Sequence, residues 1–367
     1  MRCPEEVLAT EACIQANPHT NPLAGSLYRF CCAMARTVTR AQGHPVLKLA
    51  ACPPPSWSPL SEIRNPSSLD DDPLRQYHSD LAQKLRSSLP PTCNWLEEED
   101  VRIVGGRPIS SGGFADLWRG SFDNRQVAIK SYRRYLYFDL SHIFLRFSQE
   151  ALVCGRLSHR NIVSFVRIYS TTKHPFSLVF NFVGHLDLRE YLKTHPTARR
   201  LELLAGIARG LDHMHDLDII HGSLKAGNVL VDLDGTARIA GLGSTLTLGH
   251  PTVWSEMSVG RSFRGSAPEL IYPEEFGLSY PQNSKASDIH AFGVLAWEVF
   301  TGRAVFSNSL DVVAAHAMWK GARPPRPDHP EVSDRVWEMI KQCWERVPSK
   351  RTTIREVVCT LEAERKA

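Results

Sequence analysis

The spacing of apolar and polar positions divides the 367-residue chain into three stretches of different texture. From Val101 onward, short apolar runs come first. RQVAIKSY (residues 125–132) and FSLVFNF (176–182) are a few residues long and rich in Val, Ile and Phe, which predicts strands. Between them Leu140, Ile143, Phe147, Glu150 and Cys154 recur at i, i+3, i+7, i+10 and i+14, which predicts a helix with one carboxylate on its apolar face. A carboxylate in that position is costly unless a cation meets it. After residue 185 helical spacing takes over in RRLELLAGIARGLDHMH, SDIHAFGVLAWEVFTG and EVSDRVWEMIKQCWERV. The pattern is therefore α+β, with a small strand-rich part followed by a larger helical one. Residues 1–100 read differently. CPPPSWSP, NPSSLDDDP and LPPTC are rich in Pro and Ser and lack sustained periodicity, so this stretch is expected to have little structure. The exception is one short helix over 73–88, where Leu74, Tyr77, Leu81 and Leu85 follow the acidic run Asp70–Asp72, a charge that suits a helix N-terminus.

Composition narrows the function. A 43% hydrophobic and 9% aromatic content supplies a packed core. The 43 basic and 39 acidic residues nearly balance, and a net charge of +4 is too mild to imply a nucleic-acid or membrane partner. The nine cysteines show neither a paired CxxC framework nor metal-ligand spacing with His, which argues against disulfides and zinc. No secretory pattern opens the chain and no apolar run reaches membrane-spanning length, so a cytoplasmic location is expected.

Chemistry concentrates in four stretches. ISSGGFADLWRG (109–120) is a glycine turn between two strand-like runs, where backbone N–H groups can approach phosphate without an intervening Cβ. Such turns are also common in plain hairpins. VAIK (127–130) then places Lys130 inside a strand, where its ammonium needs a partner, and Glu150 on the following helix is the natural one. HGSLKAGNVL (221–230) spaces His221, Lys225 and Asn228 around Ser223, and RGSAPEL (264–270) follows.

This order of parts, with LSHRNIV at 157–163 and CWERVPSKR ending at Arg351, resembles the protein-kinase domain, in its tyrosine-kinase-like group, over residues 101 to about 362. The resemblance implies a bilobal fold: an N-lobe at 101–180, a hinge at 181–184 and a C-lobe at 185–364. It implies ATP as ligand, in a cleft lined by Gly112, Gly113, Leu117, Ala128, Lys130, Glu150, Phe182, Val183 and Leu230, with Phe180 at the gatekeeper position. It assigns Lys225 and Asn228 to the catalytic loop, with Asn228 as a metal ligand. It gives His221, Leu242, Asp288 and a Glu269–Arg351 pair structural roles.

The chain departs from the family pattern at the acids. Ser223 stands where the base Asp belongs, and its hydroxyl cannot take a proton near neutral pH. Gly241 stands where the metal-binding Asp belongs, and Leu242 replaces the following Phe. Between Gly235 and Met257 the only carboxylate is Glu256, and Asp232 and Asp234 fit the Asp-Gly turn of VDLDG. Ser110 and Ala115 replace two glycines of the phosphate loop, and Gly222 replaces an Arg. Mg²⁺ is thus disfavoured. ATP binding is left open, because Lys130 and Glu150 serve equally well as an ion pair within the core. The reading is a pseudokinase that works through a protein partner, with an active kinase using an atypical metal site, built on Asn228 and Glu150, as the alternative. Ser255, Ser258 and Ser262 are candidate phosphorylation sites for another kinase.

Overall fold

The computed structural model describes residues 95–366, apart from 97–98, 113, 134–139, 172, 175, 185, 245 and 248–262. The helix expected over 73–88, Gly113, and the serines at 255, 258 and 262 lie outside the described residues.

The β-rich part is one sheet built where the short apolar runs fall. Strands β1 (Trp95–Leu96), β2 (Val101–Val104), β4 (Ala115–Phe122), β5 (Arg125–Tyr132), β6 (Phe165–Tyr169) and β7 (Ser177–Asn181) take the order β1-β6-β7-β5-β4-β2. The two-residue β3 (Ser110–Ser111) pairs with β4. Pairing is antiparallel throughout except for β1, which runs parallel to β6. The sheet thus takes in Trp95–Leu96, ahead of the start expected at residue 101. Alternation along β5 sets its two faces. Val127 and Ile129 join Leu96, Val101, Tyr169 and Val179 in a small outer core, and Ala128, Lys130 and Tyr132 point the other way.

That inner face receives α1 (Leu140–Arg156). Ile143, Phe147, Glu150 and Cys154 are all buried, as the periodicity requires, and Phe147 meets the edge of the Tyr132 ring at 5.9 Å. The segment after α1 is fastened to the helical part: Asn161 Nδ2 donates to Ala237 O at 2.8 Å, and Val163 N–H donates to Ile239 O at 2.9 Å.

The helical part follows α2 (Leu188–Thr194) with α3 (Arg200–Asp216), α4 (Pro268–Ile271), α5 (Lys285–Thr301), α6 (Asp311–Trp319), α7 (Asp334–Cys343) and α8 (Ile354–Lys366). Helix α5 lies at its centre, with Phe292, Val294, Leu295, Ala296 and Val299 buried. It starts at a reciprocal cap in which Ser287 N–H donates to Ser284 Oγ and Ser284 N–H to Ser287 Oγ. Two small β arrangements complete it. One has the order β11 (Ala237–Ile239), β10 (Val229–Val231), β8 (Leu186–Asp187); the other pairs β9 (Ile219–Ile220) with β12 (Leu246–Thr247). The architecture is the α+β bilobal one expected, and none of the described helices is long and apolar enough to cross a membrane.

Candidate active site

The first half of the site hangs on β5 and α1. Lys130 Nζ donates to both carboxylate oxygens of Glu150, at 2.7 and 2.6 Å, and the carboxylate side of the pair is buried. Tyr132, two residues along the same strand face, donates its hydroxyl to Glu150 Oε2, and the Lys130 ammonium lies 5.2 Å from the centre of its ring. Burial, then the charge of Glu150, raises the Tyr132 pKa well above 10. Tyr132 therefore remains a neutral donor.

Leu117 lies opposite Lys130 in the ladder, and Ala128 lies opposite Phe180. Phe180 packs edge-on against Phe165 at 5.8 Å, closing the rear of this face. The chain then leaves the sheet through Phe182 and buried Val183, and Arg119 stacks 5.1 Å from the Phe182 ring. The glycine loop is drawn back onto β5. Gly112 N–H bonds to Ala115 O at 2.9 Å, Gly112 O accepts from Arg133, and Arg133 N–H reaches Phe114 O at 2.9 Å. The Arg133 guanidinium also meets the Asp116 carboxylate at 3.4 Å, while Arg146 of α1 lies 4.0 Å from the Phe114 ring.

The second half is the loop between β9 and β10, which includes a 3₁₀ turn at Ala226–Asn228. Asp288 of α5 holds its start: Oδ2 accepts from His221 N–H at 2.8 Å and Oδ1 from Gly222 N–H at 2.9 Å. The His221 ring then links Ser223 to Ala240, the residue before Gly241. Its Nδ1 accepts from Ser223 N–H at 3.2 Å and its Nε2 bonds Ala240 O at 2.9 Å, partners that require the neutral Nε2–H tautomer. Leu230 on β10 is half-buried against the core, and Leu242 in the 3₁₀ turn Leu242–Ser244 is buried. Asp232 and Asp234 occupy the turn between β10 and β11, and Asp232 is paired with Arg238 at 2.9 Å. Glu269 and Arg351 form a buried pair at 2.6 Å, away from the cleft.

Lys130, Glu150, Ser223, Asn228 and Gly241 thus lie on β5, α1, the loop after β9 and the turn after β11, whereas Glu269 and Arg351 lie apart from them. Tyr132, Arg133 and Arg146 were not foreseen. Tyr132 was findable, because the period of two puts it on the Lys130 face.

The buried imidazoles bear on pH. Burial lowers the His221 pKa; burial, with the Arg351 and Arg323 guanidiniums adding to it, holds His290 well below the ordinary 6.5. The unfolded chain takes up protons on both as the pH falls through that value, while the folded chain does not. Melting temperature is expected to be level above about pH 7 and to fall steadily below about 6.5. A rise toward acid is the contrary result.

A profile of the protein tyrosine and serine/threonine kinase family matches residues 103–361. The chain belongs to this family. It is similar to the serine/threonine/tyrosine-protein kinase HT1 of Arabidopsis thaliana, 29% identical over 73% of this chain and 67% of that one. It is also similar to the Arabidopsis serine/threonine-protein kinase STY46, at 27% over 70% of this chain and 43% of the relative. The cytoplasmic tyrosine-protein kinase BMX of Mus musculus is 28% identical over 73% of this chain and 39% of its own length. For the last two, the chain spans less than half of the relative. Kinase domains in general use ATP with Mg²⁺. Here Ser223 and Gly241 place no carboxylate at either acidic position, and among the described residues no three His, Cys, Asp or Glu side chains gather as a metal site.

Proposed function

We propose that this kinase-family domain is a pseudokinase: a nucleotide-binding module that acts in signalling by engaging a protein partner in the cytoplasm and transfers phosphate at a negligible rate. The observation that carries the reading is the paired loss of acid at Ser223 and Gly241, on two segments that His221 ties together. A positioned general base contributes about 10²–10⁴-fold, and charge neutralisation by a metal contributes several kcal/mol more. Active kinases turn over at roughly 1–100 per second. The two losses together place this chain at least about 10⁴-fold lower. Nucleotide binding is supported by the Lys130–Glu150 pair, formed on the sheet face that also carries Leu117, Ala128 and Phe180.

The test is transfer of labelled γ-phosphate to the chain itself and to generic protein substrates, with Lys130→Met as control. The expected result is no transfer above that control. Robust transfer abolished by Lys130→Met would sink the proposal and favour an active kinase with an atypical metal site.

A further inference from the structure

Gly241 has φ +72, a conformation that L side chains rarely adopt, and the space beside it is taken. A Cβ built there would lie 2.5 Å from Cγ, 2.6 Å from Oδ1 and 2.9 Å from Nδ2 of Asn228. The Asn228 carboxamide is held in that place. Its Nδ2 donates to Ser223 O at 2.7 Å and lies 3.4 Å from Ser223 Oγ, while the main-chain oxygen of Asn228 accepts from Ala240 N–H at 2.8 Å and fixes the residue beside the turn. One side chain therefore lies across both positions at which acid is missing.

Charge points the same way. Of the two lysines, Lys130 spends two of its three N–H groups on Glu150, and Lys225, beside Ser223, has no ion-pair partner among the described residues. No carboxylate at 223 or 241 balances them. Mg²⁺ needs near-ideal octahedral oxygen coordination and normally one or two carboxylates. An uncomplexed polyphosphate carries more negative charge than its Mg²⁺ complex, and the ammonium groups reward that difference.

We infer that Asn228 acts as a brace joining Ser223 to Gly241 and closing the metal position, so that the cleft takes nucleoside polyphosphate free of divalent metal in preference to the metal complex. The inference rests on the nucleotide-binding reading and specifies its ligand.

Thermal unfolding of the full chain with ATP tests the ligand. In EDTA, ATP is expected to raise the melting temperature, by ligand linkage, at least as much as it does with excess Mg²⁺, and Mg²⁺ alone is expected to do nothing. A larger shift with Mg²⁺ overturns the metal preference and leaves nucleotide binding standing; no shift in either buffer overturns both. The brace is tested without ligand. Gly241→Ala is expected to lower the melting temperature by roughly 4–8 °C through backbone strain and displacement of Asn228. In an Asn228→Ala background the same change should cost less than half as much, because only the strain remains. An equal drop in both backgrounds overturns the brace.

Discussion

Arg351→Met is expected to lower the melting temperature by roughly 6–20 °C. The Arg351 side chain is fully shielded from solvent and Glu269 nearly so. All of its donors are used. Nη1 and Nη2 donate to Glu269 Oε1 and Oε2 at 2.6 and 2.7 Å, and further bonds run to the carbonyls of Glu345, Ala286 and Arg346. Met fills similar volume without a charge and leaves the Glu269 carboxylate buried and unpaired, a situation that costs about 3–5 kcal/mol. Removing both charges, as Arg351→Met with Glu269→Leu, should recover only part of the loss. An isolated buried pair can be replaced by apolar groups almost without cost, but here three carbonyls lose their donor as well. Urea or thermal unfolding of the two variants checks this, and full recovery in the double variant would show that the carbonyl bonds contribute nothing.

Arg351 also shows what was legible in the sequence. Its pairing with Glu269 across 82 positions follows from the family resemblance and is present. Periodicity alone placed Glu150 on the apolar face of α1, and the cost of burying its charge pointed to Lys130. Both rest on repeated local pattern or on a shared order of motifs. The features that escaped have neither. Two-residue β1 has no period to detect, and its parallel partner β6 lies far along the chain. The Arg133 bond to Gly112 O depends on a loop tip folding back, which propensity does not encode. Gly241 looked, in sequence, like a simple loss of a carboxylate. In the fold the Asn228 side chain lies against it, in a rotamer set by a bond to Ser223 O within the same loop, which spacing alone does not encode.

Asp288→Ala is the second large effect, and it separates the fold of the catalytic loop from its chemistry. The carboxylate is 1% exposed and accepts three bonds, from His221 N–H, Gly222 N–H and His215 Nε2, the last at 3.0 Å. Ala leaves three buried donors without acceptor, at about 1–3 kcal/mol each. The melting temperature should fall by roughly 6 °C or more, and the amides of His221 and Gly222 should exchange with solvent at least about tenfold faster relative to the rest of the chain. Ser223→Ala is expected to change neither by a comparable amount, since its main-chain bonds to His221 and Asn228 survive the loss of the hydroxyl. The anchor is thus needed by a loop whose base position carries no acid. Asp288 of α5 bonds His215 of α3 and the amides of His221 and Gly222 just after β9, so the core fixes the shape of this loop whatever chemistry the loop performs. If Asp288→Ala left stability and exchange untouched, the loop would be held by something other than this carboxylate.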